Sequence, residues 1–349
     1  MYANIIPLTK IPLSRPQIYT YELGDLANEI KIGQVVEAPL YNRFTFGIVA
    51  EIATTAPANI KYKQIIKIID PYPIVKERDL ALAQFISDYY YAPLGLVLKQ
   101  LTPELLKKKI KKLTAGLAEV NLSLIEQTIT AQQPLISKPN LIIGTPTERY
   151  QYYRTIIAKI LQQKKQTLFL VPELILLPQI EHWLKQFFPD QPTALLHSAL
   201  PRSGQLINWR QAQTGDAKIF LGTRHAVLTS FYNLGLIIVE EEQSLSYKQW
   251  DMNPRYDART IVEQKAALYN CQLVFGASAP SVRAYFKMHP RPLPPLPKGE
   301  GKERSEAERR GEGGVRVIDM REELRGGNYS IFSNALQQAL AQTQEQNQQ

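Results

Sequence analysis

The 349-residue sequence predicts an α/β chain in which a small β-rich N-terminal domain is followed by a lobe built on a parallel sheet. Three observations carry that prediction. Up to about residue 73 the apolar residues fall in short runs, such as 34–40 and 45–52, separated by turn-forming residues, as in antiparallel strands. From Asn140 onward, apolar runs at 141–143, 166–171, 193–197, 218–222, 234–239 and 272–276 alternate with helical segments. That alternation builds parallel strands covered by helices on both faces. A hydrophobic content of 44% over this length is enough for a core in each part.

In chain order, Leu80, Leu82, Phe85 and Ile86 give residues 75–91 the spacing of a helix packed on the first sheet and ending before Pro93, which closes a domain over residues 1–104. In residues 105–139, Lys107, Lys108, Lys109, Lys111 and Lys112 interleave with Leu105, Leu106, Ile110 and Leu113. This predicts a basic amphipathic helix running into a polar linker, with a basic face suited equally to water or to phosphate. The lobe occupies 140–288. Residues 289–314 are almost wholly Pro, Gly, Glu, Arg and Lys, too little apolar surface to order, and are predicted to be disordered. Residues 315–349 carry one more apolar run, a helix over 333–343 and a Gln-rich tail.

Composition bounds the function. Lys and Arg number 41 against 32 Asp and Glu, a net charge of +9, which suits a polyanionic partner such as nucleic acid and equally a solvated basic surface. The single cysteine, Cys271, excludes an internal disulfide framework and a cysteine-rich zinc site in this sequence. His182, His197 and His225 lack the spacing of metal ligands. No signal pattern opens the sequence, and no apolar run reaches the roughly 18 residues of a membrane span, so a cytoplasmic location and no membrane partner are expected.

Three constellations carry chemistry. A strand, a Gly-containing loop and a helix make the usual seat of a phosphate loop; here it reads Gly144-Thr145-Pro146-Thr147-Glu148-Arg149-Tyr150. The apolar run 236–239 leads into Glu240-Glu241-Glu242-Gln243, either a metal-directing acidic box or an exposed strand end. Arg224, Lys248, Arg255 and Arg259 lie among Tyr247, Trp250 and Tyr256, a mixture in which cations neutralise phosphate and rings stack on bases, unless the rings serve as packing.

Taken with Val171-Pro172-Glu173, Leu196-His197-Ser198, Gly222-Thr223-Arg224, Ser246-Tyr247-Lys248-Gln249 and Pro254-Arg255-Tyr256, these segments resemble in order and spacing the first, RecA-like helicase lobe of the PriA replication-restart family. Tyr19-Thr20-Tyr21, Phe46-Gly47-Ile48-Val49, Asp88-Tyr89-Tyr90 and Pro93-Leu94-Gly95 resemble that family's N-terminal domain, which binds the 3′ end of a DNA strand. The resemblance implies ATP-driven 3′ to 5′ unwinding at stalled forks. It implies ATP and magnesium as cofactors, and zinc in a cysteine-rich region whose cysteines this sequence lacks. The partners it implies are forked, single-stranded or 3′-ended DNA, primosome proteins and single-strand-binding protein. Tyr19 and Lys63 match the aromatic and basic positions of the 3′-end pocket, with Tyr21 beside them, while Thr20 replaces an acidic residue. Arg224, Lys248, Arg255, Tyr256 and Arg259 match DNA-side positions of the lobe.

The departures are concentrated at the nucleotide. Where the family has GxxGxGKT, the loop here is one residue short, keeps Gly144, and places Arg149 and Tyr150 where Lys and Thr belong, with Thr147 between. Pro146 removes a donor, and Glu148 adds a repelling charge. The acidic box reads Glu240-Glu241-Glu242-Gln243 against Asp-Glu-Glu-His, and Gly276-Ala277-Ser278-Ala279-Pro280-Ser281 lacks the Thr of the Ser-Ala-Thr type motif. No residue is therefore assigned a catalytic role. Residues 317–349 resemble the link into a second helicase lobe, so the sequence is expected to stop where that lobe begins. DNA binding without ATP hydrolysis is the leading expectation. An unusual ATPase using Arg149, Glu240 and Glu241, completed by a second chain, and a primosome scaffold stay open beside it.

Overall fold

The structure is a computed structural model that describes residues 1–57, 60–69, 71–102 and 139–288. The predicted basic helix and most of its linker, the predicted disorder of 289–314 and the elements of 315–349 lie outside the described residues. Residues Met1–Pro290 form one compact unit.

Its first part is a five-stranded sheet of β1 (Tyr2–Pro7), β2 (Tyr19–Glu22), β3 (Val35–Leu40), β4 (Arg43–Ala53) and β5 (Lys67–Ile68), in the order β2-β1-β4-β3-β5 with antiparallel neighbours. Alternation divides the side chains between two faces. Ala3, Ile5, Val36, Ala38 and Val49 pack with Tyr21 and Leu23 in one core, while Ile6, Val35 and Ile48 point towards the helices. Helix α1 (Glu77–Tyr89) falls within the predicted 75–91 and starts where the Lys76 N–H donates to Asp79 Oδ2 at 3.1 Å. A second helix, α2 (Leu94–Leu101), was not expected. The first helix does end before Pro93 as expected, and Pro93 is at the same time the N-cap residue of α2. Gly95 allows α2 to reach the sheet, since a Cβ there would sit 1.9 Å from the Pro7 carbonyl oxygen.

The second part is a six-stranded parallel sheet of β6 (Asn140–Ile143), β7 (Gln166–Leu170), β8 (Thr193–Leu196), β9 (Ile219–Gly222), β10 (Leu234–Glu240) and β11 (Gln272–Ala277), in the order β6-β11-β10-β7-β9-β8. Each predicted run coincides with one of these strands to within one residue at either end. Period-two alternation again separates the faces. Phe169, Ile219, Leu221, Leu236 and Ile238 pack on α3 (Pro146–Gln162) and α4 (Leu177–Phe187). Leu168, Leu170, Phe220, Ile237 and Val239 turn to α5 (Arg202–Thr214) and α6 (Ala258–Tyr269). The last described helix is α7 (Val282–Met288).

The second core does not stop at the lobe. It continues through α6 to α1 and α2 and on to Ile6, Val35 and Ile48. Polar groups within the junction are paired. Asp79 accepts from Ser230 Oγ at 2.5 Å and from the Tyr269 hydroxyl at 3.4 Å, and Lys76 Nζ donates to the Phe231 carbonyl at 3.1 Å. Lys265, with no exposed surface, donates to the Thr229 carbonyl at 2.7 Å and lies over the Phe231 and Tyr269 rings. Burial pulls the ammonium groups of Lys265 and Lys76 down to about 8.

Candidate functional site

Parallel topology collects the loops after β6, β10 and β11 at the carboxyl edge of the sheet, the usual place for a ligand in such folds. The first of these loops is short. Helix α3 begins at Pro146, so only Gly144 and Thr145 separate it from β6, and Thr147, Arg149 and Tyr150 are already helical. This corrects the reading of residues 144–150 as one phosphate loop. Thr145 caps the helix: its N–H and hydroxyl both donate to Glu148 Oε2 at 2.8 Å. Glu148 thus supplies its own anion at the helix N-terminus, where a phosphate would otherwise be favoured. Its carboxyl is held below the usual range by those two bonds.

The decisive side chain is Arg149, which is completely buried. Its guanidinium meets Glu240 Oε1 at 2.6 Å and Glu241 Oε1 at 2.5 Å through Nη2, and Gly144 O at 2.6 Å and Ser278 Oγ at 2.7 Å through Nη1. The Tyr153 hydroxyl, one turn along α3, donates to Glu240 Oε2 at 2.6 Å. Every strand end named above therefore contributes to one cation-centred cluster. Burial alone would lower the Arg149 pKa, but the facing carboxylates outweigh it and the net direction is upward. Gly276 leaves room for the cluster, because a Cβ there would lie 1.7 Å from the Tyr153 hydroxyl oxygen.

The acidic run does not act as one patch. Glu241 adopts a positive φ of 51°, which splays its neighbours. Glu240 faces Arg149, whereas Glu242 accepts from the Ser281 N–H at 2.6 Å and from its hydroxyl at 2.9 Å. Gln243 Nε2 donates to Glu241 Oε2 at 2.5 Å. Tyr150 packs on Tyr153 and Trp183, where burial and then the charge of Glu240 push its hydroxyl up to about 12.

The predicted DNA-side residues divide by burial. A hairpin pinned by the Lys248–Asp257 bridge presents Trp250, which is 59% exposed, along with Met252 and Arg255. Lys248 donates to the Arg255 carbonyl at 2.7 Å and lies over the Tyr90 and Trp250 rings. Arg224 is half-buried and donates to the Ser246 carbonyl at 3.2 Å. Arg259 is a structural residue, gripping Asp257 with two guanidinium nitrogens and donating to the Glu242 carbonyl. Tyr247 and Tyr256 have no exposed surface, which withdraws Tyr256 from base stacking in this conformation. Its hydroxyl lies 3.3 Å from His225 Nδ1.

In the first sheet, Tyr19 and Lys63 each bond to Tyr41, a residue the sequence did not single out. Tyr41 lies at the two-residue turn between β3 and β4, with a φ of 53°. The Tyr19 and Tyr41 hydroxyls are 2.9 Å apart, Lys63 Nζ donates to the Tyr41 carbonyl at 3.0 Å, and the Arg15 guanidinium is 5.4 Å from the Tyr41 ring centre. Burial raises the Tyr19 hydroxyl to about 12, while hydrogen bonds with Tyr19 and Arg15 lower that of Tyr41. Tyr21 is buried, with its hydroxyl donating to the Pro39 carbonyl at 3.0 Å, and belongs to the core rather than to this surface.

A family model for the PriA 3′ DNA-binding domain matches residues 9–103, the stretch that carries this Tyr19, Tyr41 and Lys63 surface. The replication restart protein PriA of Synechocystis sp. is 36% identical over 223 residues. By these matches the chain is similar to the PriA family. That Synechocystis match covers 59% of this chain and 24% of the relative. The PriA of Bacillus subtilis is 34% identical over 57% of this chain and 24% of its own length, and that of Helicobacter pylori 31% identical over 75% and 41%. The chain therefore spans between a quarter and about two fifths of the curated PriA relatives it matches.

The nucleotide and magnesium of PriA proteins do not fit the residues present here. Glu148 holds the Thr145 N–H and hydroxyl, Arg149 holds the two carboxylates, and Tyr150 packs its ring on Trp183. For zinc, no group of three or more His, Cys, Asp or Glu is placed to hold a metal among the described residues. No helix among the described residues is long and apolar enough to cross a membrane.

Proposed function

We propose that this chain is a DNA-binding element of a PriA-type replication-restart protein, and that it holds DNA without hydrolysing ATP. The observation that carries the second half is the Arg149 cluster. A guanidinium bonded to both carboxylates occupies, in charge and position, the place of the cation that a triphosphate requires, and it leaves no carboxylate to orient a metal or a water. The first half is supported by the match to a 3′ DNA-binding domain, by the exposed cations and rings at Arg15, Tyr41, Lys63, Trp250 and Arg255, and by the half-buried Tyr19 and Lys248 beside them. Cations beside aromatic faces bind a single strand by phosphate neutralisation and stacking.

Fluorescence anisotropy with a fork carrying a 3′ leading-strand end tests this reading. The expected result is a preference for the fork over plain duplex at moderate salt, unaltered by ATP and magnesium, with no phosphate released. Equal binding to both DNAs argues against the restart assignment, and DNA-stimulated phosphate release argues against the closed nucleotide site. Primosome proteins and single-strand-binding protein are the proposed protein partners, tested by a pull-down that persists after nuclease treatment. The cytoplasm is the proposed location.

A further inference from the structure

One cleft in the molecule takes no part in the cation cluster or the exposed hairpin. It lies between the end of α2, with Leu101 and Thr102, and the lobe's β8 edge, with His197, Trp209 and His225 around it, and it encloses about 190 Å³. A cavity of about 150 Å³ accepts a benzene ring, so this one has room for a planar heterocycle.

Two of its lining residues carry buried polar atoms without partners. Trp209 is only 5% exposed, yet its indole Nε1 has no hydrogen-bond partner, and His197 Nδ1 is likewise without one. Buried polar atoms are normally satisfied, so two unpartnered ones on one cleft are a reason to look for a ligand. An indole N–H donates only, while a neutral imidazole offers a donor and an acceptor, which together match the edge of a nucleobase. Burial lowers the pKa of both His197 and His225, with Arg224 adding to the effect at His225, and so favours the neutral rings. Leu101, Leu196 and Leu228 supply apolar walls against which the faces of a base can lie. Ser198 is an exposed residue of the lining, and Arg224, next in the chain to His225, has its buried Nε without a partner.

We propose that the cleft receives a single nucleobase from a DNA strand lying along the carboxyl edge of the parallel sheet, held by Trp209, His197 and His225. This rests on the DNA-binding reading above and adds to it a site that grips a base rather than a phosphate. The base is expected to come from a strand, with a free nucleotide as the competing source.

The test uses the full chain and a short thymidine strand carrying 5-iodouracil, crosslinked by near-ultraviolet light and mapped by peptide mass spectrometry. Adducts on Trp209, His197 or His225 are expected. Ser198→Trp, at an exposed residue of the lining, is expected to weaken strand binding by about tenfold, the order of one lost stacked base, with unchanged affinity for plain duplex. If Ser198→Trp fails to fold, Trp209→Phe serves instead: it keeps the ring, removes the donor, and is expected to lose the adducts on the cleft. A strand that binds but crosslinks only outside the cleft overturns the proposal and leaves the DNA-binding reading intact, whereas no DNA binding at all overturns both. Adducts formed as readily with free 5-iodouridine monophosphate overturn the strand assignment in favour of a free-nucleotide site.

Discussion

Replacing Arg149 with methionine removes the cation from the centre of the cluster while keeping most of its volume. The two carboxylates left behind differ in their access to water. The Glu241 side chain is 29% exposed and can rotate outward, whereas that of Glu240 is 3% exposed and keeps only the Tyr153 hydroxyl at 2.6 Å. Breaking a buried ion pair by deleting one partner costs about 3–5 kcal/mol. With Glu241 able to escape, the lower end, about 3 kcal/mol, is expected here. For a domain of this size that is a fall in melting temperature of roughly 6–12 °C. An uncompensated buried carboxylate takes up a proton more readily. The folded variant then binds more protons than its unfolded chain, so the deficit shrinks as pH falls towards about 5. Adding Glu240→Leu to Arg149→Met is expected to restore most of the loss at neutral pH, because an apolar pair can replace a buried ionic one. Thermal melts at pH 7 and pH 5 (values chosen on the order of the carboxylate range) compare the wild type with both variants. Arg149→Met melting with the wild type at neutral pH would refute the claim that the guanidinium holds this site closed.

Two further expectations follow from neighbouring residues. Gly276→Ala would set a Cβ 1.7 Å from the Tyr153 hydroxyl and 2.7 Å from Glu240 Oε2, and the resulting overpacking is expected to cost about 1–3 kcal/mol in urea melts; recovery on adding Tyr153→Phe locates the clash, and no recovery contradicts it. Lys265 and Lys76 have folded pKa values near 8, below the roughly 10.4 of an unfolded lysine. Between those values the unfolded chain binds more protons, so stability should rise with pH from about 8 towards 10; Lys265→Met should flatten that rise, and parallel pH profiles for variant and wild type would contradict it.

The strands were legible because burial on both faces wrote itself into runs such as Leu168-Phe169-Leu170 and Leu236-Ile237-Ile238-Val239, whose alternate members serve the two cores. Helix α2 was not, because Pro93 marks the end of one helix and the start of another with the same local chemistry, and the docking of Gly95 on Pro7 that decides the matter is a long-range contact. At the nucleotide site the sequence exposed the misfit of Arg149 and Tyr150 to the family pattern. It did not expose the partner of Arg149, since Glu240 is 91 residues away and meets it only once β6 and β10 lie in one sheet. Rings were the least legible. Tyr21 and Tyr256 stand in motifs beside Tyr19 and Trp250 yet are buried, and only the packed structure distinguishes them. Tyr41 and Arg15 left a faint signal: a two-residue turn at Tyr41 and Asn42 between two apolar runs places an aromatic at a hairpin tip, where it has little to pack against.

The central claim is that the carboxyl edge of the sheet is closed to nucleotide by the protein's own arginine while DNA is still bound. Isothermal titration of a non-hydrolysable ATP analogue with magnesium into the DNA-bound chain tests it most directly. The account predicts no heat of binding at micromolar to millimolar analogue with the fork still held; saturable binding in that range, lost in Glu241→Gln, would contradict it.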